Sequence, residues 1–302
     1  SSLVVGIVSL GNVQSLGRLG TRTFFYYLST TVMAVLIGLI VVNFIKPGIG
    51  SNFDLSVISM PNAFTSNIST EVTFVSVLEN IVPSNVINAI GNENMLGVIF
   101  FSLIFGAALL SMEGEGSILK DFVTQFNNVF LKITNWIMQL SPIGVFALLA
   151  SLIGQTGFVI FKPVAFYVAT VLIAIFIHLI FTLSGVLVII ARYSPIVFFK
   201  QIFPAIATAF STDSSIATLP VTMDCLEKNV GISKKIVGFI VPLGATVNMD
   251  GTALYEAVAA VFIAQVFGID MTLTQQLIIM LTAILASVGA AGIPSAGLVT
   301  MV

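Results

Sequence analysis

Pro242-Leu243-Gly244-Ala245-Thr246-Val247-Asn248-Met249-Asp250-Gly251-Thr252-Ala253-Leu254-Tyr255-Glu256 reads as a membrane helix with a polar fault at its centre. The surrounding segment, Lys234 to Phe267, is apolar and long enough to cross a bilayer. Within the fault, Asn248, Asp250 and Thr252 alternate with Met249 and Gly251. An unwound helix offers free carbonyls beside carboxylate, amide and hydroxyl groups, which together make the oxygen set that hard cations take. A carboxylate at that depth costs on the order of 2.5–3.5 kcal/mol by insertion scales, so Asp250 is expected to face a cavity and a partner. The competing reading is a structural polar network at a kink, and it accounts less well for the oxygen-rich spacing.

The whole chain supports the membrane setting. Its 302 residues contain 11 Lys and Arg against 13 Asp and Glu, with 57% hydrophobic residues and a mean hydropathy of +1.11. Soluble domains carry about 25% charged residues; here the figure is 8%. That excludes a soluble enzyme, and a net charge of −2 is too small to recruit nucleic acid. No charge occurs from Ile133 to Phe161, Pro163 to Ala191, Ile236 to Met249 or Met271 to Val302. Runs of this length are membrane helices rather than barrel strands. The expectation is an all-α, multi-pass protein of a cell membrane, plasma or bacterial inner, with the lipid bilayer as its solvent. The single cysteine, Cys225, reads as a small buried hydrophobe.

Working outward, Phe24 to Ile45 is a full span closed by Lys46-Pro47-Gly48, and residues 1–23 read as the end of a helix plus a cytoplasmic loop. Residues 46–71 read as an extracellular loop containing the sequon Asn67-Ile68-Ser69. Val72 to Ser111 is broken into short segments, Asp121 to Gly154 is a span kinked at Pro142, and Val164 to Ile190 is another. Pro195 to Met223 has apolar ends and a small, hydroxyl-rich centre from Ala205 to Ser215, and neither half is long enough to cross. It reads as a re-entrant hairpin, whose exposed backbone is tolerated only inside protein or beside a water-filled cavity. Leu273 to Val302 repeats the pattern around Gly289 to Gly297. Two such hairpins flanking a broken helix suggest an inverted-repeat transporter. The short apolar start and the stop at Met301-Val302 inside an apolar segment lead us to expect further helices on both sides.

Asp213 and Glu256 are further acids in apolar surroundings. For Glu256 two readings stay open: a proton carrier, or a neutral hydrogen-bonded acid that never titrates. His178 lies mid-span with no carboxylate near it in sequence, and reads as a packing histidine rather than a proton relay.

The string Pro242 to Glu256 closely resembles the broken helix of the glutamate transporter family, which comprises dicarboxylate/amino acid:cation symporters and excitatory amino acid transporters. Ser214-Ser215-Ile216-Ala217-Thr218-Leu219-Pro220 resembles that family's first hairpin, and Ala286 to Gly297 its second. The resemblance implies a homotrimer working by an elevator mechanism: Phe24–Ile45 and residues 164–302 move as a transport domain, while 72–154 form the trimerisation scaffold. It implies a sodium site at Tyr27, Thr30, Thr31, Asn248 and Asp250, and part of a second at Gly244 and Asn248. A third falls on the carbonyls of Thr246, Ser287, Val288 and Ala290, so two or three sodium ions are co-transported. Substrate contacts fall on Ser214, Ser215, Met249, Thr252, Ala291, Gly292, Ile293 and Gly297. Glu256 matches the position that carries the proton in proton-coupled members. Asp213 departs from the serine or arginine of relatives, and Ile216 from a third serine; Asp213 therefore stays open between pairing with an arginine in an absent last helix and marking an altered substrate preference.

The resulting expectation is sodium-coupled symport of a small-molecule substrate, L-glutamate or L-aspartate, with or without proton co-transport. The alternative is the same fold carrying C4-dicarboxylates or neutral amino acids. A channel would need a continuous polar or carbonyl-lined path, whereas two closed hairpin tips argue for gates on opposite sides. A membrane enzyme would need a nucleophile–base pair, and the single histidine lies far from the serine-rich tip in sequence. With the loop of Arg18 and Arg22 inside, Lys120, Arg192, Lys200, Lys228, Lys234 and Lys235 also fall inside, while Lys46 and Lys162 fall outside. That distribution obeys the positive-inside rule.

Overall fold

Branched and aromatic residues crowd the first helix, α1 (Val13–Ile45), which in the computed structural model is unbroken over 33 residues. The structure describes residues 4, 5, 8, 13–50, 82, 83, 85–91, 95–112 and 116–289. After α1 come α2 (Val86–Gly91), α3 (Met95–Ser111), α4 (Ser117–Gln139) and α5 (Ser141–Thr156). A 3₁₀ turn leads into α6 (Phe161–Ile177), which continues through a π-helix (His178–Leu183) into α7 (Ser184–Ile189). Then follow α8 (Pro195–Gln201), α9 (Phe203–Thr212), α10 (Ser215–Asp224), α11 (Lys234–Val247), α12 (Asp250–Val266) and α13 (Leu273–Gly289). No strand occurs among the described residues. Among the described residues three runs are long and apolar enough to cross a membrane: Gly20–Ile45, Phe161–Ile189 and, taken across its break, Ile236–Val266.

Four details differ from the sequence reading. Arg18 and Arg22 lie on α1 and not in a loop, because nothing between Val13 and Phe24 stops a helix. Pro142 sits in the first turn of α5 after a break at Leu140, where its missing N–H forfeits no bond, so it starts a helix instead of kinking one. The hydroxyl-rich centre of the first hairpin is helical up to Thr212, and the turn narrows to Asp213 and Ser214. Ser211, Thr208 and Thr212 each donate to the carbonyl four residues back, so their hydroxyls are satisfied without opening the backbone. The broken helix opens only at Asn248 and Met249. The tip and second arm of the second hairpin and the Asn67 sequon lie outside the described residues.

The core is a helix-on-helix seam. Ala34, Val35 and Val42 of α1 are fully buried with Ala253, Leu254, Ala257 and Val258 of α12, and Ala174 of α6 and Ala283 and Ile284 of α13 join them. Small side chains let helices approach closely where lipid supplies no hydrophobic drive between them. At the end of α1, Asn43 and Gln276 exchange amide hydrogen bonds of 2.8 and 3.2 Å, joining α1 to α13. Beside them, Gln265 donates to the Val42 carbonyl at 3.3 Å and accepts from the Gly48 amide at 3.1 Å, joining α1 to α12. Gly48 must lack a side chain there, since a Cβ would fall 2.7 Å from the Phe262 carbonyl oxygen. The base of the first hairpin is closed likewise: Gln201 donates to the Asn229 carbonyl and Asn229 to that of Gln201, at 2.9 and 2.8 Å.

Candidate functional site

α11 ends and α12 begins with two residues between them in neither helix, and this fault faces α1. On α1, Tyr27, Thr30 and Thr31 share one face, being three and four residues apart. All three are buried. The Thr30 hydroxyl lies 3.2 Å from Asn248 Oδ1, and the Thr31 hydroxyl donates to Asp250 Oδ1 at 2.6 Å. Both hydroxyls also reach the Tyr27 carbonyl, at 3.0 and 2.9 Å. The Tyr27 hydroxyl donates to the Ile240 carbonyl at 2.9 Å, tying α1 to α11 above the break. Gly244 makes room for that ring: a Cβ there would stand 2.8 Å from the Tyr27 hydroxyl. The structure thus brings together Tyr27, Thr30, Thr31, Asn248 and Asp250, with Gly244 beside them.

Asp250 is only 9% exposed, and its second oxygen has a partner that the sequence reading missed. His178 Nε2 stands 3.2 Å from Asp250 Oδ2. The packing reading of His178 rested on the lack of a nearby carboxylate in sequence, and the structure supplies one from 72 residues away. One signal was available. Two ionisable groups buried in apolar spans are expected to find each other, because each alone is costly.

The oxygen donors around Asp250 comprise one carboxylate, an amide, two hydroxyls and a backbone carbonyl, a set suited to a hard cation of low charge. Among the described residues no group of three or more His, Cys, Asp and Glu could hold a transition metal. Glu256, on α12, is fully buried. Ser287 is also fully buried and donates to the Ile284 carbonyl at 2.9 Å, while Val288 lies in the last turn of α13. Thr246 lies in the last turn of α11, and Met249 and Thr252 flank Asp250 at half-buried positions. At the first hairpin, the half-buried Ser214 caps α10, its hydroxyl accepting from the Ala217 amide at 3.2 Å. Ser215 is exposed beside it. Asp213 is exposed in a left-handed conformation (φ 47°). Ala290, Ala291, Gly292, Ile293 and Gly297 lie outside the described residues.

Comparison with known proteins shows the family. The model of the Sodium:dicarboxylate symporter family matches residues 1–302. The chain belongs to this family. Among its relatives, excitatory amino acid transporter 1 of Ambystoma tigrinum is 36% identical over all of this chain and 65% of its own length. Excitatory amino acid transporter 3 of Homo sapiens is 36% identical over all of this chain and 66% of its own length. The C4-dicarboxylate transport protein of Bacillus subtilis (strain 168) is 34% identical over 99% of this chain and 71% of its own length. The chain therefore spans about two thirds of the length of these relatives. As a family member with three helical runs of spanning length among the described residues, it is a multi-pass protein of the cell membrane.

Proposed function

We propose that the protein is a secondary transporter that couples inward sodium movement to uptake of an acidic amino acid, L-glutamate or L-aspartate. The observation that carries this reading is the convergence of Thr30, Thr31, Asn248 and Asp250 at the helix break. Sodium is a co-substrate in this scheme: the Asp250 carboxylate supplies its countercharge, and the Tyr27 carbonyl, the two threonine hydroxyls and the Asn248 amide oxygen replace its water. Gly244, Thr246, Asn248, Ser287, Val288 and Ala290 would serve the remaining one or two ions. Ser214 and Ser215 face the substrate from the first hairpin, Met249 and Thr252 from the broken helix, and Ala291, Gly292, Ile293 and Gly297 from the second hairpin. Glu256 carries the proton if one is co-transported. The similarity to excitatory amino acid transporters supports the substrate class. In the same scheme the protein is a homotrimer whose transport domain (24–45 and 164–302) slides against a scaffold (72–154).

A second reading, transport of a C4-dicarboxylate, is favoured by the Bacillus relative, which matches almost the whole chain at nearly the same identity. Uptake of radiolabelled aspartate, glutamate, succinate and serine by the full-length protein in liposomes separates them. Aspartate or glutamate accumulation that requires a sodium gradient is the expected result. Succinate uptake without amino-acid uptake selects the second reading, and sodium-independent uptake removes the cation site. In the same assay, Glu256→Gln is expected to flatten the pH dependence of transport; an unchanged profile takes the proton role away from Glu256.

A further inference from the structure

His178 occupies the first position of the π-helix His178–Leu183, inside a span that is otherwise α-helical from Phe161 to Ile189. Single π-turns inside α-helices cluster at functional sites, because the extra residue per turn reorients side chains that regular helix geometry would aim elsewhere. The carbonyl of Leu179 is held by both the Ser184 amide and the Ser184 hydroxyl, the latter at 2.8 Å, so the widened turn is fixed in place. The His178 side chain is 5% exposed, and its one described contact is Nε2 to Asp250 Oδ2 at 3.2 Å. An ionised carboxylate only accepts, so this contact uses the tautomer with hydrogen on Nε2. Nδ1 is buried with no hydrogen-bond partner among the described residues. The hydrogen bond that the described residues give this histidine goes to the carboxylate of the candidate cation site.

Asp250 is consequently held from two sides, Oδ1 by Thr31 of α1 and Oδ2 by His178. Each oxygen accepts one hydrogen bond and keeps lone-pair capacity for a cation. We infer that His178 is a positioning residue that fixes the plane of the Asp250 carboxylate and thereby sets the affinity for sodium. This inference rests on the sodium reading above. Groups that hydrogen-bond to a metal's ligands typically change affinity 10–100-fold when removed.

The test uses the full-length protein in lipid nanodiscs, titrated with sodium chloride against choline chloride without amino acid, and followed by thermal unfolding. A ligand that binds the folded state raises the unfolding temperature, so the titration reports sodium binding without transport. His178→Gln keeps an N–H near the position of Nε2, whereas the shorter His178→Asn does not reach it. The half-saturating sodium concentration is expected to rise at least about tenfold in His178→Asn and to return most of the way in His178→Gln. In liposomes, the rate at saturating sodium should change far less than the sodium concentration needed. Should His178→Asn not fold, His178→Leu replaces it in the same comparison. Equal shifts in the Gln and Asn variants would show a packing role and overturn the inference, as would no shift in either. A wild-type protein that sodium neither stabilises nor drives refutes the sodium reading itself, a result distinct from both.

Discussion

Thr31 has a single hydroxyl hydrogen and two acceptors in reach, Asp250 Oδ1 at 2.6 Å and the Tyr27 carbonyl at 2.9 Å. The shorter contact is to the charged group, as expected where one partner is ionised. Thr31→Val keeps the shape and removes the donor, leaving Asp250 held from His178 alone. A hydrogen bond to a charged group contributes about 1.5–3 kcal/mol, so the half-saturating sodium concentration for uptake should rise by roughly tenfold or more. Thr31→Ser, which retains the hydroxyl, should stay close to wild type in the same sodium titration. At this scale the sequence was informative about Asp250, Asn248 and the α1 face, because polar groups in apolar helices are conspicuous. For His178 it offered only the general expectation that ionisable groups in apolar spans pair, since neighbourhood in sequence does not name a partner 72 positions away.

Among elements, the amide clasp at the end of α1 gives the clearest energetic expectation. Asn43 and Gln276 exchange two hydrogen bonds, and Asn43 also donates to the Leu39 carbonyl at 2.7 Å. Removing one member leaves the other's amide without its partner, while removing both deletes the whole demand. Asn43→Ala and Gln276→Ala should therefore be non-additive, with a coupling of about 0.5–3 kcal/mol in a double-mutant cycle of thermal unfolding. Additive effects would mean that the pair contributes nothing specific. The helical spans were legible from uncharged runs, but their joints were not. Pro142 could kink a helix or begin one, and only the break at Leu140 decides. The π-helix had no sequence signature, since an extra residue in a turn leaves the hydropathy pattern intact.

For the whole molecule, the described core is narrow and the apolar exterior is wide. Phe44, at 88% exposed, and Phe181, at 74%, belong to a broad exterior of large apolar side chains that lipid or a neighbouring chain would cover. The low charge count made that environment legible from the sequence; the contacts that bind the helices into one body were not, because small residues such as Ala34, Ala253 and Ala257 look alike whether they face lipid or a neighbour. The proposed orientation can be checked through the single cysteine. Cys225 is buried, so added cysteines should report over a low background. With Ile49→Cys and Ala191→Cys, a membrane-impermeant maleimide is expected to label the first from outside intact cells and the second only after permeabilisation. Labelling of both from one side would reverse the assignment drawn from the basic residues.

The span between Thr31 and Asp250 has a consequence in time. They are 219 residues apart, and ribosomes add roughly 5–20 residues per second. α1 is therefore made roughly 10–40 s before the partners of its polar face exist. In the interval, two hydroxyls would sit in hydrocarbon unsatisfied, had the helix not its own acceptor for them. The Tyr27 carbonyl, within 3.0 Å of Thr30 and 2.9 Å of Thr31, serves as that acceptor. The bond most incidental to the finished site is the one that lets a nascent helix wait in the bilayer for the rest of the protein to arrive.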